Sequence, residues 1–166
     1  GLWRYMIGDL VRFIDTATHE IIIAGRIKQF LSLCGEHLSL DNINQALKEV
    51  SRQQHLSFSE YTIHADEEGL QHCWYIGCDD LKGDENIILE LDATLQKIND
   101  DYAYVRKHSM PMPSLQLLPT SVFYAYLESI GKLGAQNKMP RVMNKEQATQ
   151  WQHFLSANGY LEKPTS

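Results

Sequence analysis

The chain has 166 residues, of which 43% are apolar, and a formal net charge of −6. This length suffices for one domain with a hydrophobic core, and the scattered Lys and Arg residues form no basic stripe of the kind that binds nucleic acid. No apolar run approaches the roughly 20 residues of a membrane span, so we expect a globular domain that binds neither nucleic acid nor membrane.

The first part of the chain predicts a hairpin followed by a helix. Residues 10–27 contain two β-branched runs separated by polar residues, the pattern of an antiparallel hairpin. In residues 41–55 apolar side chains instead recur every three or four positions, which predicts an amphipathic helix. Ser39 or Asp41 can accept a hydrogen bond from the first turn of this helix and cap it.

The remainder of the chain predicts a second hairpin and further helices. Residues 57–79 contain two strands around an acidic turn. Residues 84–108 carry apolar side chains at helical spacing and end before two prolines. Residues 114–134 are typical of a strand and a short helix, and residues 144–158 predict another helix that ends at Gly159. The order of elements predicts an α+β fold, in which helices flank a small, mostly antiparallel sheet.

The cysteines indicate a reducing environment and no metal site. Cys34, Cys73 and Cys78 cannot all pair with one another, which favours a cytoplasmic location. The spacing of His72, Cys73 and Cys78 resembles part of a zinc site, but a fourth ligand is missing at a suitable spacing and the residues between the cysteines are typical of a buried strand. We therefore expect buried structural thiols.

Two segments near the start carry residues suited to an anionic or hydroxyl-bearing ligand. In YMIGDL, Gly8 lets the backbone approach a ligand, and the Asp9 carboxylate can accept hydrogen bonds from vicinal hydroxyls such as those of ribose. In GRIK, Arg26 and Lys28 place two cations at a sheet edge, where they can face phosphate oxygens or another domain. The alternative for YMIGDL is a simple turn before a strand. The alternative for GRIK is a solvated basic turn.

A third segment, QNKMPR at residues 136–141, lies near the C-terminal end. Pro140 stiffens a loop that has Lys138 on one side and Arg141 on the other. Such a loop can bring a positive charge to an anionic transition state. A solvated linker is the alternative interpretation.

The order of these segments resembles the adenylate-forming enzyme superfamily, in which Gly-Asp closes a large domain and G-R-x-[DK] opens a small C-terminal one. Within it, WRYMIGD (residues 3–9) and the K-x-P-R loop of residues 136–141 resemble the auxin-responsive promoter (GH-three) family of acyl acid–amido synthetases. The resemblance implies that residues 1–24 end the large domain and include the first hairpin. Residues 25–166 would then form a C-terminal α+β lid, in which Gly35-Glu36 has a structural role before the first helix.

The resemblance also implies an activity and a role for each site residue. The whole enzyme would activate a carboxylic acid with ATP and Mg²⁺, bound mainly by its N-terminal adenylation domain, and transfer the acyl group to the amine of an amino acid. Lys138 is implied to be catalytic, stabilising charge on the phosphates. Asp9, Arg26 and Arg141 are implied to bind nucleotide, Asp9 through the ribose hydroxyls. Lys28 matches the hinge, and the domain alone is expected to be inactive.

Two other functions fit parts of the sequence. The opening and hinge segments suit the lid of an acyl-CoA ligase equally well, but the terminal lysine of that group normally lies in a P-x-T-x-x-G-K context, whereas Met-Pro-Arg follows Lys138. A non-catalytic α+β module that binds a ligand or a partner is the second alternative.

Overall fold

A computed structural model describes residues 9–26, 31–80, 86–132 and 138–161, and within these ranges the strands form two sheets. The first sheet is the predicted antiparallel hairpin, made of β1 (Asp9–Asp15) and β2 (Glu20–Arg26). The apolar side chains described between residues 11 and 22 lie on the surface, with Phe13 and Ile14 more than half exposed. An isolated two-stranded hairpin has little stability of its own in water.

The second sheet has four strands among the described residues, in the order β5-β4-β3-β6. These are β3 (Glu60–Asp66), β4 (Gln71–Gly77), β5 (Ser114–Leu118) and β6 (Val142–Met143). The central pair β3–β4 is the second predicted hairpin and is antiparallel, whereas β5 and β6 join the two edges in parallel. The predicted α+β fold is confirmed, and the parallel edges are a feature that the sequence did not predict.

The described residues contain five helices. They are α1 (Leu40–Gln54), α2 (Asn86–Ile98), α3 (Asp100–His108), α4 (Thr120–Ser129) and α5 (Lys145–Ala157). The helices predicted at residues 41–55 and 144–158 are confirmed, and Ser39 rather than Asp41 is the N-cap of α1, since its side chain accepts from the Asn42 amide.

The single helix predicted over residues 84–108 is wrong, because the structure divides this segment into α2 and α3. Asn99 has an extended backbone, and its side-chain oxygen accepts a hydrogen bond from the Tyr102 amide at 2.7 Å. It therefore begins a new helix. The apolar spacing runs through the break because both helices pack on the same core.

Helices cover both faces of the four-stranded sheet. On one face, Trp74 and Ile76 of β4 pack with the buried residues of α1, α2 and α3. On the other face, Tyr75 packs with α4 and α5, around the fully buried Trp151. A strand that is covered on both sides buries consecutive residues, which explains why β4 lacks a clear alternation of apolar and polar residues.

Asn99 offers a test of the helix break. Its side-chain nitrogen also donates to the His37 carbonyl at 3.1 Å and to Asn42 Oδ1 at 3.2 Å, so it ties the break to the start of α1. We expect Asn99→Ala to lower the free energy of unfolding by about 1–2 kcal/mol, measured by urea denaturation. Lys107→Ala, exposed on α3, is the control and should change it by less than about 0.5 kcal/mol. Equal effects of the two variants would contradict a capping role.

Candidate functional site

The candidate site is the segment of residues 138–141, which lies along the edge of β3 and leads into β6. The Ile63 amide donates to the Arg141 carbonyl at 3.0 Å, and the Thr62 hydroxyl donates to the Pro140 carbonyl at 2.7 Å. Met139 is buried in the core between the sheet and the helices α4 and α5. The backbone from Met139 onward is therefore fixed against the sheet.

Lys138 lies next to this fixed backbone and is exposed. It forms no hydrogen bond or ion pair with any of the residues that the structure describes. The arrangement combines a held main chain with an ammonium group that extends into solvent. It therefore meets the geometric requirement for a lysine that must reach an anion beyond the sheet.

Arg141, the other cation of the loop, is engaged within the domain. Its Nη1 donates to Glu60 Oε2 at 2.6 Å and to the Tyr61 carbonyl at 3.0 Å. The guanidinium also lies over the Tyr61 ring, 4.5 Å from its centroid, within the range of a cation–π interaction. The charge of Arg141 is thus balanced by a carboxylate of β3, whereas that of Lys138 is not balanced within the described residues.

The two other predicted nucleotide-binding residues are brought together by the first hairpin. Asp9 and Arg26 are cross-strand partners in the ladder of β1 and β2. This pairing brings the backbones of the two residues together at one end of the hairpin. The predicted hinge residue, Lys28, lies outside the described residues.

Glu36 occupies the turn before α1, as the sequence implied, but its surroundings were not predicted. It is fully buried, and its carboxylate accepts from the amides of Leu33 and Cys34, each at 2.7 Å. The Nε2 of His72, also fully buried, lies 2.7 Å from Glu36 Oε1 and donates the third hydrogen bond. Because the partners lie far apart in the chain, no local sequence signal indicates this contact.

The geometry separates the residues that the zinc interpretation had grouped. His72 faces Glu36 and stacks on Tyr102, with ring centroids 6.0 Å apart. Cys73, the next residue of β4, packs against the core on the opposite face of the sheet. Cys78 is buried, while Cys34 and Cys73 are only half-buried. In residues 9–26, 31–80, 86–132 and 138–161 there is no group of three or more metal-binding side chains in suitable positions.

A pocket of about 370 Å³ lies beside β6, between the end of β3 and the start of α5. His64 lines it and is 4% exposed, and burial lowers the pKa of this imidazole below its ordinary value. The Nε2 of Gln152 lies 3.2 Å from His64 Nε2, so the two side chains are paired. Neither residue could be assigned a role from the sequence, since a lone histidine in a strand carries no specific signal.

Helices suited to a membrane span are not found among the described residues, since each is too short or too polar.

Comparisons with known proteins identify a family and a fold. A family model described as the GH3 family C-terminal domain matches residues 41–147, a range that includes Lys138 and Arg141 but not the WRYMIGD segment. Curated protein sequences gave no match.

Solved structures that share the fold of this chain include two synthetases. One is titled GH3.15 acyl acid amido synthetase, with a TM-score of 0.71, 20% identity, and coverage of 95% of this chain and 32% of that chain. Another, AtGH3.15 acyl acid amido synthetase in complex with 2,4-DB, has a TM-score of 0.63, 20% identity, and coverage of 92% and 30%. The chain therefore spans about a third of the length of these proteins.

The Glu36 contact predicts a specific pH dependence of stability. Burial raises the pKa of Glu36, but the hydrogen bonds from His72 and from the Cys34 amide outweigh it and hold the pKa below the ordinary value of 4.5. A carboxyl group with a depressed pKa stabilises the fold above its unfolded pKa, and this contribution is lost as the pH falls through the folded value.

We expect Glu36→Gln to lower the free energy of unfolding at neutral pH by about 2 kcal/mol, because a charged acceptor is lost. In urea titrations carried down to about pH 3.5, the variant should lose less further stability on acidification than the unaltered protein. Glu68→Gln, at an exposed carboxylate, is the control and should keep the original pH dependence. If Glu36→Gln lost as much stability on acidification as the unaltered protein, Glu36 would not be the source of this pH dependence.

Proposed function

Because this chain belongs to the GH3 family C-terminal domain, we propose that it is the C-terminal lid of an ATP-dependent acyl acid–amido synthetase. In this proposal the whole enzyme joins a carboxylic acid to the amine of an amino acid, and ATP activates the acid as its acyl-adenylate. The partner of the lid is the N-terminal adenylation domain of the same protein. That domain would hold the acid and most of the nucleotide, and the lid alone would be inactive.

The observation that carries the proposal is Lys138, which is exposed on a fixed loop and pairs with none of the residues that the structure describes. A lysine ammonium is a compact charge on a flexible stem, suited to phosphate oxygens. The loop backbone is already held by Thr62 and Ile63 of β3, so little reorganisation is needed when the charge meets its target. Such a preorganised cation stabilises negative charge that develops in a transition state.

The first hairpin supports a contact with the sugar of the nucleotide. Asp9 and Arg26 are opposite one another in its ladder, and we assign Asp9 to the ribose hydroxyls and Arg26 to the same nucleotide. Lys28 would absorb the rotation between the two half-reactions, which requires permissive backbone torsions at only a few positions.

The structure also bears on the roles of Arg141 and of Mg²⁺ in this proposal. A contact from Arg141 to the same anion would have to compete with Glu60, so we base no step on it. The described residues contain no cluster of metal ligands. In the enzyme that we propose, Mg²⁺ is bound mainly by the N-terminal domain.

The acceptor distinguishes this proposal from the lid of an acyl-CoA ligase. We expect the full-length protein, supplied with ATP and a panel of carboxylic acids, to form amides with amino acids and no thioester with coenzyme A, as detected by mass spectrometry. Thioester formation without amides would refute the amido synthetase assignment and leave an adenylate-forming lid.

Lys138→Ala tests the catalytic assignment. In the full-length protein, we expect it to slow adenylate formation by a factor of about 100 to 1,000, because a preorganised cation is lost. The aminolysis of supplied acyl-adenylate should be slowed far less. Adenylate formation is measured as acid-dependent exchange of pyrophosphate into ATP.

Lys132→Ala is the matched control, since Lys132 is also an exposed lysine close to this loop in sequence. It should leave both half-reactions within about twofold of the unaltered enzyme. Equal losses in the two half-reactions of Lys138→Ala, or an equal loss in the control, would count against the assignment.

A further inference from the structure

We propose that Thr62 is a positioning residue for Lys138, and that the Glu60–Arg141 pair acts with it. The inference rests on the proposed function, since it concerns how the fold presents the lysine of that site. None of these three residues needs to touch the substrate. They act through the backbone of residues 139–141.

Thr62 holds the loop at Pro140, a residue whose main chain has only one group that can form a hydrogen bond. Proline has no amide hydrogen, so the carbonyl of Pro140 is its one main-chain hydrogen-bonding group, and it accepts from Thr62 Oγ1 at 2.7 Å. Thr62 is fully buried on β3, and a β-branched side chain has few rotamers. The donor is therefore as rigid as the strand that carries it.

The Glu60–Arg141 pair holds the following residue from the same strand. Arg141 Nη1 lies 2.6 Å from Glu60 Oε2, with side chains 30% and 16% exposed, respectively, and the guanidinium stacks on the Tyr61 ring. A partly buried ion pair of this kind is screened by solvent much less than a surface pair. With the hydrogen bond from the Ile63 amide, the contacts come from four consecutive residues of β3, 60–63, and fix Pro140 and Arg141.

The arrangement fixes one end of Lys138 and leaves the other free. Met139 is 2% exposed and fills the core directly after it, so the main chain of Lys138 is set by its C-terminal neighbours. The ammonium reaches outward from that fixed origin. A shift of the loop by about 1 Å would displace the charge, and misplacements of that size cost up to about 100-fold in rate.

Thr62→Val removes the hydrogen bond with almost no change of volume, whereas Thr62→Ser keeps the hydroxyl. We expect Thr62→Val to slow adenylate formation in the full-length protein by about 10- to 100-fold through kcat, with the KM for ATP little changed. Thr62→Ser should stay within about threefold of the unaltered enzyme. Combined with Lys138→Ala, Thr62→Val should cause no further loss, since the two residues act as one unit.

A second measurement tests how firmly β3 holds the loop and does not depend on enzyme activity. Trypsin cleaves after Lys138 only when Met139 leaves the core, so the rate of this cut, followed by mass spectrometry of the full-length protein, measures opening of the loop. We expect Thr62→Val to raise it at least about fivefold, while cleavage after Lys132 stays unchanged. Glu60→Gln weakens the other contact and should change both measurements in the same direction, which covers the case that Thr62→Val fails to fold.

The outcomes separate this inference from the proposed function. Unchanged cleavage after Lys138 in both variants would overturn the anchoring. Faster cleavage with adenylate formation within about twofold of the unaltered enzyme would overturn the positioning role. If Lys138→Ala itself leaves adenylate formation unchanged, the proposed function fails at this residue and the positioning role fails with it, while the cleavage result still decides whether β3 holds the loop.

Discussion

The structure depends on the central pair of strands, β3 and β4, which is covered by helices on both faces. β4 sends alternate side chains into two separate cores, one formed with α1, α2 and α3 and the other with α4 and α5, while β3 adds Tyr61 and Ile63 to the first core and buries the polar Thr62 and His64, which alternate with them in sequence. Because both faces are buried, neither strand can shift by one residue without exchanging the two sets of side chains. The register of this pair is therefore strongly specified, and the edge strands and the loop of Lys138 are built on it.

The buried carboxylates Glu36 and Asp92 have close partners, whereas the exposed Lys138 has none among the residues that the structure describes. Glu36 is bound by His72 and by two backbone amides. Asp92 is 4% exposed and lies 2.6 Å from Arg106, and it also accepts from the hydroxyl of Tyr102. A buried charge without such partners is strongly destabilising. In the function that we propose, Lys138, exposed beside a backbone that is held in place, meets a negative charge from outside this domain.

Much of the candidate site could be predicted from the sequence, and its supports could not. Lys138 and Arg141 were identified because they flank a proline in a short segment, and the family match includes them. The sequence treats these two cations alike, as charges of one loop. Their difference comes from Glu60 and Tyr61, which precede Arg141 by 81 and 80 residues in the chain. Only the pairing of β3 with β6 in the folded sheet brings them to Arg141.

The sequence by itself determined the features that depend on neighbouring residues: the two hairpins, the helices at residues 41–55 and 144–158, the two candidate caps Ser39 and Asp41, and the resemblance to a family. Capping, turn formation and helical periodicity act within a few residues, so they can be read locally. Only the tertiary structure decided the parallel edges of the sheet, the break at Asn99, the pairing of Glu36 with His72 and the different surroundings of Lys138 and Arg141. Each of these depends on which distant surfaces pack together, and that is settled by burial over the whole chain and not by any short pattern.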